Sequence, residues 1–88
     1  MSWAVRWQDE ALAELEQVAR REPKPAANIR RRVLDLAETG RGDVKKLAGR
    51  PNDWRLRVGT WRVTFTYNRV TRELVVLAVE PRGSAYRR

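Results

Sequence analysis

The sequence predicts an α+β fold, a helical hairpin near the N-terminus packed on a small, mainly antiparallel sheet in the order β-α-α-β-β-β. Three patterns carry this expectation. Apolar residues recur at helical spacing on both sides of Pro23, residues 54–65 alternate apolar and polar side chains about Gly59-Thr60, and residues 74–79 are apolar throughout. Eighty-eight residues with no internal repeat or low-complexity stretch make a single domain spanning residues 1–88.

Trp3-Ala4-Val5-Arg6-Trp7 reads as a short strand with Trp3, Val5 and Trp7 on one face. Asp9 is expected to cap the first helix, with the Glu10 carboxylate in the first turn, where the helix dipole favours it. Leu12, Leu15, Val18 and Ala19 follow at helical spacing, and the helix should stop near Arg21 because Pro23 disfavours helical geometry at Glu22. Pro25 suits the opening turn of a second helix, whose inner face reads Ala26, Ile29, Val33, Leu36 and Ala37, and Gly40 ends it. The short link makes the two helices an antiparallel pair. Arg30-Arg31-Arg32 points mostly away from the apolar stripe, as a solvated face. A loop from Thr39 to Asp43 then delivers Val44-Lys45-Lys46-Leu47 to the strands, and Gly49-Arg50-Pro51-Asn52 forms another turn.

Residues 54–65 are the most informative stretch. A two-residue loop with Gly first suits a type II′ turn, because Gly accepts the positive φ that the first central position requires. The turn sets the register: Val58 faces Trp61, Arg57 faces Arg62, Leu56 faces Val63, Arg55 faces Thr64 and Trp54 faces Phe65. One face then carries Trp54, Leu56, Val58, Trp61, Val63 and Phe65, and the other Arg55, Arg57, Arg62, Thr64 and Thr66. Like charges directly opposed cost about 0.2–1 kcal/mol, so a polar face that gathers three guanidiniums is suited to receiving an anion. A turn within Asn68 to Arg72 leads into Glu73–Val79. Its apolar run fits a central strand covered on both faces. Helices would cover one, and the other needs a partner protein or a further part of the domain. Pro81 ends the strand.

Charge sharpens this picture. Residues 1–40 hold seven Lys/Arg and seven Asp/Glu, whereas residues 41–88 hold twelve and four, so the whole net charge of +8 lies in the strand half. A one-sided basic surface fits a polyanion, either nucleic acid or an acidic protein, and it also serves solubility. With no Cys and no His, thiol nucleophiles, imidazole acid–base pairs, a Ser-His-acid triad and Cys/His zinc sites are excluded. No acidic cluster suggests a metal and no Gly-rich phosphate loop suggests a nucleotide cofactor, so none is expected. No apolar run reaches the length of a membrane span or marks a signal peptide, and a cytoplasmic protein with no membrane partner is the expectation.

What remains is arginine, with Tyr86 near the C-terminus. Guanidinium matches phosphate bidentately and stays charged, so such a site would stabilise the dianionic transition state formed when a ribose 2′-hydroxyl attacks its own phosphodiester. Acid–base work would fall to Tyr86, whose pKa nearby guanidiniums would lower, or to the RNA and its surroundings. Simpler roles stand beside these: Tyr86 packing on the domain edge, Arg82 as a surface charge, Trp54 and Trp61 as core. Lys45, Lys46 and Arg50 are solvated cations with a possible role on the nucleic-acid backbone.

Three segments carry a resemblance: Lys46-Leu47-Ala48-Gly49, Trp54 through Val63, and Val79-Glu80-Pro81-Arg82-Gly83-Ser84-Ala85-Tyr86-Arg87. Together they resemble the RelE/ParE toxin superfamily, nearest the RelE branch, over essentially the whole chain. The middle segment matches the pattern K-L-x-G … Y-R-L-R-x-G-x-Y-R-V with Trp for both Tyr. The resemblance implies a microbial-ribonuclease-like fold. It also implies a metal-independent endoribonuclease (an mRNA interferase) that cuts messenger RNA in the ribosomal A site and is neutralised by a cognate RelB-like antitoxin. It places the family's site residues on Arg55, Arg57, Arg62, Arg82 and Tyr86. Two departures accompany it. Some members have Lys, a better proton donor, where this chain has Arg55 and Arg57. Many have Gly-His where it has Glu80-Pro81, and the Glu80 carboxylate either partly neutralises the site or supplies a base.

The resemblance leaves two other functions open: a ParE-like toxin that inhibits DNA gyrase by binding, and a non-catalytic member that binds its antitoxin only. Arg62, Arg82 and Tyr86 together favour the RelE branch. Tyr86→Phe separates the RelE-like from the ParE-like reading, because RNA cleavage needs the phenol and gyrase inhibition does not.

Overall fold

A computed structural model describes residues 2–49 and 52–81. Two helices pack on one face of a five-stranded sheet of order β1-β5-β4-β3-β2. The strands are β1 (Ala4–Trp7), β2 (Val44–Lys46), β3 (Asp53–Val58), β4 (Trp61–Asn68) and β5 (Glu73–Pro81), and the helices are α1 (Asp9–Arg21) and α2 (Pro23–Thr39). β1 pairs with β5 in parallel, and every other neighbouring pair is antiparallel. The α+β expectation holds with one addition. Val44–Lys46 is a strand of its own, so the order is β-α-α-β-β-β-β.

Strand pairing sets the start of α1 one residue earlier than the sequence suggests. The Gln8 N–H donates to the Val76 carbonyl (3.0 Å), prolonging β1, while the Gln8 carbonyl accepts from Leu12 N–H (2.9 Å). Gln8 is therefore the flanking residue, extended at φ −66° and ψ 154°, and Asp9 is the first helical residue rather than the cap. The inner stripe of α1 is Ala11, Leu15 and Val18, with Ala19 exposed and Leu12 half-buried. At the other end Glu22 serves both helices. Its N–H donates to the Val18 carbonyl and its carbonyl accepts from Ala26 N–H. Pro23 and Pro25 sit in the first turn of α2, where a missing N–H costs nothing. Ala26, Ile29, Val33, Leu36 and Ala37 are buried as expected, and Gly40 closes the helix at φ 77° with its N–H on the Leu36 carbonyl.

The β3–β4 register is the one the Gly59-Thr60 turn demands, from Val58 opposite Trp61 to Trp54 opposite Phe65. Gly59 has φ 59° and Thr60 is not among the positive-φ residues, the signature of a type II′ turn. Leu56, Val58, Val63 and Phe65 are buried against the helices, and Trp54 and Trp61 pack half-buried around them. β5 departs from simple alternation. Thr64 pairs with Ala78 but Phe65 pairs with Val76, so Leu77 is an extra residue, a β-bulge. The bulge lets Leu74, Val76 and Val79 all enter the core. β5 is thus an interior strand covered by helices on one face only. Among the described residues no element lies over the other face, which carries Val75, Leu77 and Ala78.

Candidate active site

The open face is ordered by strand register into rows. Lys45 of β2, Arg55 of β3, Thr64 of β4 and Ala78 of β5 lie side by side, and Arg57, Arg62 and Glu80 form the next row. A cleft of about 760 Å³ opens over these rows, with Arg55, Arg62 and Thr64 in its wall and Leu77 and Ala78 beneath. Gln8, Glu10, Leu47, Ala48 and Glu80 line it as well, so two acids share the cleft with the arginines.

Arg55 and Arg62 are half-buried, and the Nε of each is buried with no hydrogen-bond partner among the described residues. A buried donor left unpaired costs about 1–3 kcal/mol, and two guanidiniums close together add their repulsion. Such a cost persists where a ligand supplies the missing acceptor. An oxyanion placed between the two arginines would accept from both and cancel their mutual field. Arg57 is held differently. It is exposed, its Nε lies 3.4 Å from Asp43 Oδ2, and its N–H donates to the Asp43 carbonyl (2.9 Å). Asp43 therefore anchors Arg57 at the edge of the cluster while Arg55 and Arg62 face the cleft.

The other residues expected at the site divide three ways. Lys45 lies on the arginine face, across from Arg55. Lys46 lies on the opposite face, with its Nζ 5.7 Å from the Trp54 ring centroid, a cation–π contact that takes it away from the cleft. Arg50, Arg82 and Tyr86 lie outside the described residues. No group of three or more His, Cys, Asp or Glu that would hold a metal occurs among the described residues, and no helix there is long and apolar enough to cross a membrane.

Two further residues contribute, Glu14 with no sequence signal and Asp43 with a weak one. The Glu14 carboxylate, on α1, accepts from the Val79 N–H at 2.7 Å. It satisfies the outer edge of β5 beyond the point where β1 ends, and so holds the segment that carries Glu80. No local signal joins residues so far apart in the chain. Asp43 had a weak signal, being the one acid beside β2 in a basic half. Away from the arginines, burial raises the Tyr67 phenol above its ordinary value. Tyr67 packs on Trp3 (centroids 4.7 Å) and edge-on to Phe65 (5.5 Å).

No family model matches the chain, and no curated relative matches it. Solved structures do match. The toxin–antitoxin complex RelBE2 from Mycobacterium tuberculosis contains a chain 21% identical, superposing with a TM-score of 0.78 over 93% of this chain and 100% of that one. A mutant of the E. coli toxin RelE in the free state gives 0.77 at 17% identity, covering 97% of this chain and 88% of that one. A YoeB/ParE toxin from Agrobacterium tumefaciens gives 0.76 at 16% identity, over 89% and 96%. The chain has the fold of these toxins.

Proposed function

We propose that this chain, built on the fold of the RelE and YoeB toxins, is the toxin of a type II toxin–antitoxin pair and a metal-independent endoribonuclease acting on messenger RNA at the ribosome. The observation that carries the reading is the pair of buried, unpartnered Nε groups of Arg55 and Arg62, on neighbouring strands at one cleft. In this reading the scissile phosphate sits between them. The ribose 2′-hydroxyl attacks phosphorus, the bond to the 5′-oxygen breaks, and the products are a 2′,3′-cyclic phosphate and a 5′-hydroxyl. The two guanidiniums gain most when the phosphoryl oxygens carry the extra charge of the transition state, which is what accelerates the step. Arg57 adds charge at the edge, and Arg82 and Tyr86 complete the set. The base is Tyr86 or Glu80, the latter paired in register with Arg62. The partners are a RelB-like antitoxin, the ribosome and messenger RNA, in the cytoplasm.

The test is to induce the chain alone in bacteria and map new 5′ ends of messenger RNA within minutes, beside Arg62→Ala. Cuts inside translated codons that vanish with Arg62→Ala support the proposal. Growth arrest without cuts turns the reading to gyrase inhibition. Folded protein with neither arrest nor cuts leaves an antitoxin-binding member without catalysis.

A further inference from the structure

We propose that the open face carries a second nucleotide subsite beyond the arginine cleft, which takes a base and phosphate of the same RNA strand one step or more from the scissile position. The inference deepens the endoribonuclease reading and rests on it. A groove of about 470 Å³ adjoins the cleft and shares Gln8 and Leu77 with it. Its apolar floor is Leu77, half-buried, beside Val75, which is only 7% exposed, and Arg6, Asn52, Tyr67, Asn68 and Arg69 line the rest. No carboxylate lines this groove, whereas Glu10 and Glu80 stand at the cleft. Two acids lie near it: Glu73, engaged by the Thr71 hydroxyl (2.9 Å) and by Arg6 (3.8 Å), and Asp53, which pairs in register with Thr66.

The composition suits a nucleotide better than a simple anion. An apolar surface flanked by side-chain amides offers stacking area and hydrogen-bonding groups for a base edge, and a guanidinium either pairs with phosphate or lies against a base plane. The Asn68 Oδ1 accepts from the Val70 and Thr71 N–H groups (3.0 and 3.2 Å), which fixes the side chain and leaves its amide nitrogen to donate. Thr66, at the edge of the groove, follows Arg62 on the same face of β4. Their separation along the strand is roughly 14 Å, a distance an extended RNA strand spans and a single bound phosphate does not. The subsite also gives a cover to Leu77, a half-buried apolar position of β5 that no helix covers.

The experiment measures binding of two RNA probes, each blocked at the 2′-position against cleavage: a dinucleotide and a hexanucleotide of the same central sequence. Fluorescence anisotropy with wild type, Arg69→Ser, Arg6→Ser/Arg69→Ser and Arg62→Ala is read over a range of salt concentrations. The expected result is that wild type binds the hexanucleotide about tenfold or more tighter than the dinucleotide. The double variant loses that gain, its salt slope falls by about one per arginine removed, and its dinucleotide binding is unchanged. Arg62→Ala weakens both probes. Equal hexanucleotide binding by wild type and the double variant overturns the subsite while leaving the cleft intact. Indifference of both probes to Arg62→Ala overturns the cleft and the subsite together. Loss of a polyglutamate peptide but not of RNA in the double variant overturns the proposal in favour of a protein partner.

Discussion

Replacing Arg62 by Met should stabilise the folded chain while removing its affinity for phosphate. The Nε of Arg62 is buried and unpaired, and relieving one such donor returns about 1–3 kcal/mol. Arg62 lies directly across from Arg57 and two residues from Thr64, the partner of Arg55. Diagonal neighbours of this kind stand about 7–8 Å apart. At that separation two unit charges repel by about 0.6 kcal/mol in water and about 2 kcal/mol at an effective dielectric of ~20. Met retains much of the arginine stem, so little packing is lost. A net gain of about 1–2 kcal/mol follows, which for a domain of this size raises Tm by roughly 5–15 °C. Thermal unfolding by circular dichroism, with and without inorganic phosphate, reads both halves. Phosphate at about 100 times its Kd should add about 2.7 kcal/mol to wild type and nothing to Arg62→Met. Chloride should narrow the gap between the two proteins by screening the repulsion. A lower Tm for Arg62→Met, or equal stabilisation of both by phosphate, would refute the reasoning.

Two further outcomes test individual contacts of the fold. Glu14→Ala should cost about 1–3 kcal/mol by orphaning the Val79 N–H, while Glu14→Gln, which keeps an acceptor oxygen, should cost less than half as much. Hydrogen exchange at Val79 and Tm check this, and equal losses in the two variants would exclude the bond as the cause. The Tyr67 phenol, raised by burial above its ordinary 10.0, keeps its proton in the folded state when the unfolded chain has begun to lose it. Its contribution to stability is complete below about pH 10 and declines as pH rises through the folded-state value. Tyrosinate absorbance in a Tyr86→Phe background isolates the group, and ionisation below pH 10 in the folded protein would contradict this account.

Legibility followed the range of the interactions. The hairpin register was readable because Gly59 dictates the turn and side-chain alternation then places every residue of residues 54–65. The ends of α1 and α2 near Pro23 and at Gly40 were readable because Pro and Gly act on their own backbone. Boundaries set by pairing were not. Asp9 resembles a cap in isolation, yet Gln8 holds that place because β5, far along the chain, binds its N–H. The choice of Ala11 over Ala19 for the core likewise depends on how α1 lies over β5, and the strand Val44–Lys46 exists because β3 pairs with it.

The candidate site divides along the same line. Alternation alone puts Arg55, Arg57 and Arg62 on one face, because the period of a strand is a local property of covalent geometry. That face was therefore determined by the sequence itself. Which arginines address the cleft was decided by tertiary structure. Asp43 reaches Arg57 from the neighbouring chain segment, Lys46 turns to Trp54, and the bulge at Leu77 with Glu14 on Val79 shapes the strand beneath. Each of these joins residues that meet only when the sheet has closed, and electrostatics and hydrogen bonding act over distance in space, where separation along the chain carries no information.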